Sequence, residues 1–256
     1  MHGEKLKSKI KNGEIVIGTY VKGSDPAIPE ILSSCGFDFI IIDGEHSPLN
    51  INNYANHIRS ADSMGLPVIV RIHENNKFYI MQALDIGASG IQVPQVNSAK
   101  EASEVVSAAK YFPEGSRGFA TTHRAAKYGN MDPVEYITKA NKNTLVICYV
   151  ETREAVDDIW KTVKIEGIDV FYIGPSDLSH SYGVPGEVEN QKVLNAANRV
   201  IKVCNTAKKT IGTVASNPKQ VKDLVKRGFR FIVYNSDLGL MMQAGKYALK
   251  EIKTNL

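Results

Sequence analysis

Four carboxylates, two imidazoles and a guanidinium stand at the ends of short apolar runs. FDFIIIDGEHSP, residues 37 to 48, drives Phe39, Ile40, Ile41 and Ile42 straight into Asp43, Glu45 and His46. PVIVRIH ends in Arg71 and His73, ICYVET in Tyr149 and Glu151, and YIGPSDLS reaches Asp177. Glu151 and Asp177 can offer two hard oxygen ligands to Mg²⁺, Mn²⁺ or a similar divalent ion, leaving its other positions for water and substrate. The competing reading is that Glu151 caps the helix that follows and Asp177 closes a turn after Gly174 and Pro175; spacing alone leaves both open. Arg71 can grip a carboxylate bidentately, or serve as a fixed ion pair with Asp43 or Asp85. His46 beside Asp43 fits an oriented acid/base, because a carboxylate fixes the tautomer and raises the basicity of its imidazole; a plain loop histidine is the alternative. Glu45 suits either a metal-bound water or solvent.

Other reactive types are less informative. His2, His57, His123 and His180 show no H-x-x-x-H spacing and receive no role. Lys22 and Lys127 are the candidate imine-forming amines. Neither reads as ending an apolar strand in the interior, where desolvation would lower its pKa, so a covalent imine mechanism is disfavoured.

The elements that must position these groups follow from periodicity. Short β-branched runs at 14 to 21, 37 to 43, 66 to 72, 90 to 96, 144 to 151, 168 to 175, 210 to 216 and 229 to 237 predict eight strands. Helical patterns fall between them near 26 to 35, 50 to 64, 77 to 86, 98 to 110, 153 to 164, 190 to 208, 217 to 227 and 238 to 253. The strands are continuously apolar, as in a sheet covered on both faces, and about 250 residues is the usual size of an α/β (β/α)₈ barrel. In a barrel the carboxyl ends of the strands converge, which explains why greasy runs end in charge. The segment from about 111 to 143 carries PEGSRGFATTHRAAKYG and a short helix, and is expected as an insertion at the catalytic rim. Arg117, His123, Arg124 and Lys127 within it could favour an anionic ligand, or simply be solvated. No linker divides the chain, and no G-x-G-x-x-G follows the first strand as a doubly wound dinucleotide fold would require.

Composition agrees with an enzyme-sized globule: 256 residues are 43% apolar, with 31 Lys plus Arg against 27 Asp plus Glu spread without basic blocks. No nucleic-acid partner is implied. The polar N-terminus is no signal peptide, and no apolar run nears the eighteen or so residues of a membrane span. Cys35, Cys148 and Cys204 lack redox or zinc spacing and read as reduced, mostly buried thiols of a cytoplasmic protein.

DFIIIDGEHSP, PVIVRI, LDIGASGIQVPQV, SRGFA, VETREAVDDI and DVFYIGPSDLSHSYG, in this order over roughly 14 to 237, together resemble the HpcH/HpaI family of metal-dependent (class II) pyruvate aldolases. The resemblance implies a barrel of the phosphoenolpyruvate/pyruvate type and a trimer or hexamer in which the last helix swaps between subunits. It implies Glu151 and Asp177 as ligands of Mg²⁺, Mn²⁺ or Co²⁺, Arg71 on the keto acid and its enolate, and Asp43 with His46 as the dyad that handles the aldol hydroxyl proton. Glu45 would hold metal-bound water, the backbone at Gly174, Pro175 and Ser176 would lie against the pyruvate carboxylate, and Asp85 would reach a neighbouring subunit's site. The family commonly has Gln where this chain has Tyr149, on the keto acid. The expected reaction is cleavage of a 4-hydroxy-2-keto acid to pyruvate and an aldehyde. The alternatives are oxaloacetate decarboxylation or condensation of the enolate with another acceptor, and a non-catalytic binding barrel.

Overall fold

Each predicted apolar run is covered on both faces, which is why it carries no polar alternation. The structure, a computed structural model, describes residues 3–256, so His2 lies outside the described residues. Eight parallel strands close into a barrel in chain order. They are β1 (Val16–Val21), β2 (Phe39–Asp43), β3 (Val68–Arg71), β4 (Gly90–Val93), β5 (Leu145–Val150), β6 (Val170–Ile173), β7 (Thr210–Ala215) and β8 (Phe231–Ser236). Around them run α1 (Gly3–Lys11), α2 (Ala27–Ser34), α3 (Ile51–Ser63), α4 (Lys77–Asp85), α5 (Ala99–Ala109), α6 (Pro133–Asn143), α7 (Arg153–Thr162), α8 (Pro175–Ser181), α9 (Gln191–Thr206), α10 (Pro218–Lys226) and α11 (Asp237–Thr254). Side-chain caps start most of the helices, among them Asn50, Ser98, Thr152, Asn190, Asn217 and Ser236.

Alternate strand residues face inward and form one apolar cluster that includes Val16, Phe39, Ile41, Ile69, Leu145, Ile147, Val170, Phe231 and Val233. Leu6 and Ile10 of α1 join it and plug the end away from the strand carboxyl termini. Phe39 stacks on Phe231 with ring centroids 4.3 Å apart, and a Cβ at Gly18 would overlap the Phe39 ring. The outward faces pack beneath the helices in a second, larger cluster.

Three details depart from expectation. Strand β4 stops at Val93 instead of residue 96, because Pro94 has no N–H to pair and Gln95 turns into the left-handed region at φ 52°. The expected end of strand six is instead the first turn of α8, entered through Pro175. The insertion lies at the opposite end of the barrel from the expected rim: α5 has already run back from the mouth, so residues 110 to 144 meet the C-terminal ends of α3 and α4, where Arg124 binds Asp62 and Arg117 binds Asp85. Cys148 and Cys204 are buried, whereas Cys35 is exposed; all three are free. Among the described residues no helix is long and apolar enough to cross a membrane.

Candidate active site

Inward-facing positions become polar at the last turn of the barrel, where there is no further layer to bury. Asp43 ends β2 and Arg71 ends β3, opposite each other in register and almost fully buried. Arg71 Nε donates to Asp43 Oδ1 at 2.9 Å and Nη2 to Oδ2 at 2.7 Å, the bidentate pairing that a guanidinium forms best. The backbone N–H groups of Glu45 and His46 also donate to Asp43 Oδ1, at 3.1 and 3.0 Å. Lys22 Nζ lies 3.1 Å from Asp43 Oδ2. Burial alone would raise the Asp43 pKa, but Arg71, the His46 N–H and Lys22 outweigh it and hold the carboxyl at about 2. Asp43 is therefore a fixed anion that accepts no proton in the neutral range.

Arg71 Nη1 is shared between the Tyr149 hydroxyl at 3.0 Å and Glu45 Oε2 at 3.1 Å. Tyr149, 3% exposed, is 2.7 Å from the Tyr20 hydroxyl, which in turn donates to Tyr172 at 3.3 Å. The three phenols make a floor under the guanidinium, with Arg71 4.8 Å above the Tyr20 ring. Gln92 of β4 accepts from Tyr20, and its Nε2 is buried without a partner.

Glu151 follows β5 and is 4% exposed. It does not cap α7: Thr152 does, accepting from Ala155 N. Glu151 Oε1 instead accepts from Gln95 N at 2.8 Å, a bond made possible by the left-handed turn at Gln95. Its other oxygen points at Gly174, where any Cβ would stand 2.8 Å away, so the carboxyl occupies space that only glycine leaves. Burial pushes the Glu151 carboxyl up to about 7 against the Gln95 N–H, and the charges of Asp177 and Glu45 add to the rise. Asp177 lies exposed in the first turn of α8 and makes no hydrogen bond or ion pair among the described residues. Neither carboxylate thus serves the capping or turn-closing role open from sequence. Glu45 is raised by burial too, opposed by Arg71 and His46 and reinforced by Asp177 and Asp43.

Four carboxylates, Asp43, Glu45, Glu151 and Asp177, meet two fixed cations, Arg71 and Lys22. With all four ionised, the excess of two negative charges would match a divalent cation, and Glu151 with Asp177 offers a hard oxygen donor pair open to water and substrate. Among the described residues no three His, Cys, Asp or Glu side chains form a group that could hold a metal ion.

Other expected residues fall elsewhere. The His46 ring is not held by Asp43, whose contact is to the backbone; the ring is mostly exposed, with Nε2 3.9 Å from Glu45 Oε2. Asp85 ends α4 at the far end of the barrel, paired with Arg117 at 2.5 Å and 3.6 Å from His123 Nε2. It is absent from its own chain's mouth. Arg117, His123, Arg124 and Lys127 share that far end and do not line the mouth. Lys22, by contrast, is the first residue past β1 and does stand at the end of an apolar strand. There it pairs with Asp43 and stays open to solvent. Tyr20 and Tyr172 were also missed, although period-two alternation back from the ends of β1 and β6 turns both inward.

The HpcH/HpaI aldolase/citrate lyase family model matches residues 16–244. A 2-keto-3-deoxy-L-rhamnonate aldolase of Klebsiella pneumoniae is 33% identical over 240 residues, 93% of this chain and 89% of that protein. The crystal structure of an HpcH/HpaI aldolase/citrate lyase family protein from Burkholderia cenocepacia J2315 superposes with a TM-score of 0.93 at 27% identity, covering 98% of this chain and 99% of the other. The crystal structure of the citrate synthase SbnG superposes with a TM-score of 0.87 at 26% identity over 98% of each chain.

Proposed function

The chain belongs to the HpcH/HpaI aldolase/citrate lyase family, and from that premise we propose that it reversibly cleaves a 4-hydroxy-2-keto acid to pyruvate and an aldehyde. It is a carbon–carbon lyase of the class II type, and its family generally uses a divalent metal. The observation that carries the reading is the meeting of Glu151 and Asp177, two carboxylates that no cation among the described residues pairs, beside a guanidinium fixed on three sides.

Glu151 and Asp177 hold the cation, Mg²⁺, Mn²⁺ or Co²⁺, which supplies Lewis acidity toward a 2-keto acid when bound. The backbone at Gly174, Pro175 and Ser176 receives the keto-acid carboxylate. Arg71, locked by Asp43, Tyr149 and Glu45, keeps one Nη2 N–H for the oxygen that gains charge as the C3–C4 bond breaks. Such a preorganised donor stabilises the enolate without reorganising. The C4 hydroxyl must lose a proton in the same step. His46, on the loop whose backbone Asp43 fixes, accepts it directly or through water held at Glu45 and later releases it to solvent, and the enolate carbon takes a proton from water to give pyruvate. Asp43, held as an anion, positions this machinery and does not titrate.

The test is exchange of the pyruvate C3 protons into D₂O, followed by NMR on chelator-treated protein and again after adding Mg²⁺ or Mn²⁺. Metal-restored exchange is expected; its absence in folded, metal-bound protein overturns the reading.

Tyr149 favours one second reading. A phenol engaged with Arg71 replaces the family's more frequent amide on the keto acid, and 26% identity to a citrate synthase makes condensation with another acceptor, or oxaloacetate decarboxylation, the alternative. Product analysis with oxaloacetate separates them.

A homo-oligomer, trimer or hexamer, completes the proposal. No residue of α11 is buried, and Leu238, Met241, Met242, Tyr247, Leu249 and Ile252 are exposed along it, so a second copy would cover this helix by exchange. In such an assembly Asp85 would serve a neighbour's aldehyde pocket. Two buried free thiols accord with a reducing, cytoplasmic setting.

A further inference from the structure

Lys22 is the mouth residue to which the proposed reaction assigns no work. Its side chain is 28% exposed, and its ammonium is pinned 3.1 Å from Asp43 Oδ2 and 3.4 Å from the His46 carbonyl oxygen. The backbone beneath it is fixed as well. Asp237, in the first turn of α11, accepts from Lys22 N at 3.1 Å with each oxygen and from Gly23 N at 2.8 Å. A lysine that merely solvated the rim would need no such clamp.

Its place in the ring matters more than its charge alone. The strands follow chain order around the barrel, so β1 stands diametrically opposite β5, which delivers Glu151. The Lys22 ammonium nevertheless reaches inward to Asp43 Oδ2, which it shares with Arg71 Nη2 (3.1 and 2.7 Å), so a keto acid held between Glu151, Asp177 and Arg71 has Lys22 on its β1 side, with His46 on the neighbouring loop. An acceptor whose carbonyl carbon meets the enolate and whose oxygen lies by His46 must direct its far end toward β1. There it meets an ammonium with protons to spare, whereas Asp43 already receives two guanidinium and two backbone hydrogen bonds. Arg71 is committed to the donor half of the reaction. The cations of the 110 to 144 segment are at the other end of the barrel.

We propose that Lys22 anchors the far-end carboxylate of an anionic aldehyde acceptor, and so sets acceptor preference. This rests on the aldolase reading. The test measures aldol addition of pyruvate by the Mn²⁺-loaded enzyme to 4-oxobutanoate and to butanal, four-carbon aldehydes with and without the far-end carboxylate. Lys22→Met should lower the ratio of kcat/KM for the anionic over the neutral aldehyde at least tenfold, mainly through KM, and Lys22→Arg should recover most of it. A ratio that stays within twofold of wild type in Lys22→Met, or turnover of neither aldehyde by wild type, overturns the assignment. Pyruvate proton exchange in the wild type keeps the two ideas apart: without exchange the aldolase reading fails, while exchange with an unchanged ratio sinks only the role of Lys22.

Discussion

In the proposed reaction most of the chemistry rests on Glu151, and its setting explains why a mutation there is informative. Glu151→Gln keeps the shape and the Gln95 hydrogen bond while removing the charge a cation needs; Asp177→Asn does the same at an exposed site where folding is not at stake. Each should reduce metal-dependent cleavage by about 10²–10³-fold or more, the usual size of a lost electrostatic contact to a reacting centre, and near-wild-type turnover in either variant contradicts the ligand assignment. His46→Ala should slow aldol cleavage far more than it slows pyruvate proton exchange, since only cleavage moves a hydroxyl proton; equal losses in the two assays argue against that role. Much of this site was legible without coordinates, because charge directly after an apolar parallel strand has one place to go. What escaped was decided by single-residue detail. Lys22 counts as a mouth residue only because β1 ends at Val21. The His46 ring was read as oriented by Asp43, but the carboxylate spends that oxygen on backbone N–H groups.

At the scale of elements, the eight strands were readable because burial on both faces demands continuous β-branched and aromatic residues. The misplaced insertion has an equally physical origin. Chain order says only that residues 110 to 144 come after strand four, and the intervening α5 carries them to the closed end before they begin. The helix α1 was missed since only Leu6 and Ile10 mark its apolar face among lysines. This closed end holds a titration that can be checked. Lys110, 2% exposed, donates to the carbonyls of Asn141 and Thr144 near Lys7. Burial first, then the charge of Lys7, lowers its pKa from 10.5 to about 8, against Asp169 and Glu114. Between these two values the unfolded chain binds the extra proton, so stability contributed by this site rises with pH across the window and its cost is fully present below pH 8. The effect is at most about 3 kcal/mol. Thermal unfolding at pH 7.5 and 9.5 should show the wild type gaining relative to Lys110→Met, and parallel shifts in the two proteins would refute it.

For the whole molecule, the uncovered face of α11 makes the strongest demand. An 18-residue helix with six large exposed apolar side chains along its length is poorly suited to stand alone in water. Leu249→Asp combined with Ile252→Asp should convert the proposed oligomer to smaller species in sedimentation velocity while leaving the barrel folded; an unchanged sedimentation coefficient removes α11 from the proposed interface. The same helix begins with Asp237, whose carboxylate clamps the backbone of Lys22 and Gly23. Whatever grips the tail of α11 therefore also steadies the β1 wall of the mouth. In the proposed oligomer thermodynamic linkage would follow: dilution that releases the tail would loosen Lys22 while sparing the proposed ligands Glu151 and Asp177, so acceptor preference would become a function of protein concentration and metal affinity would not.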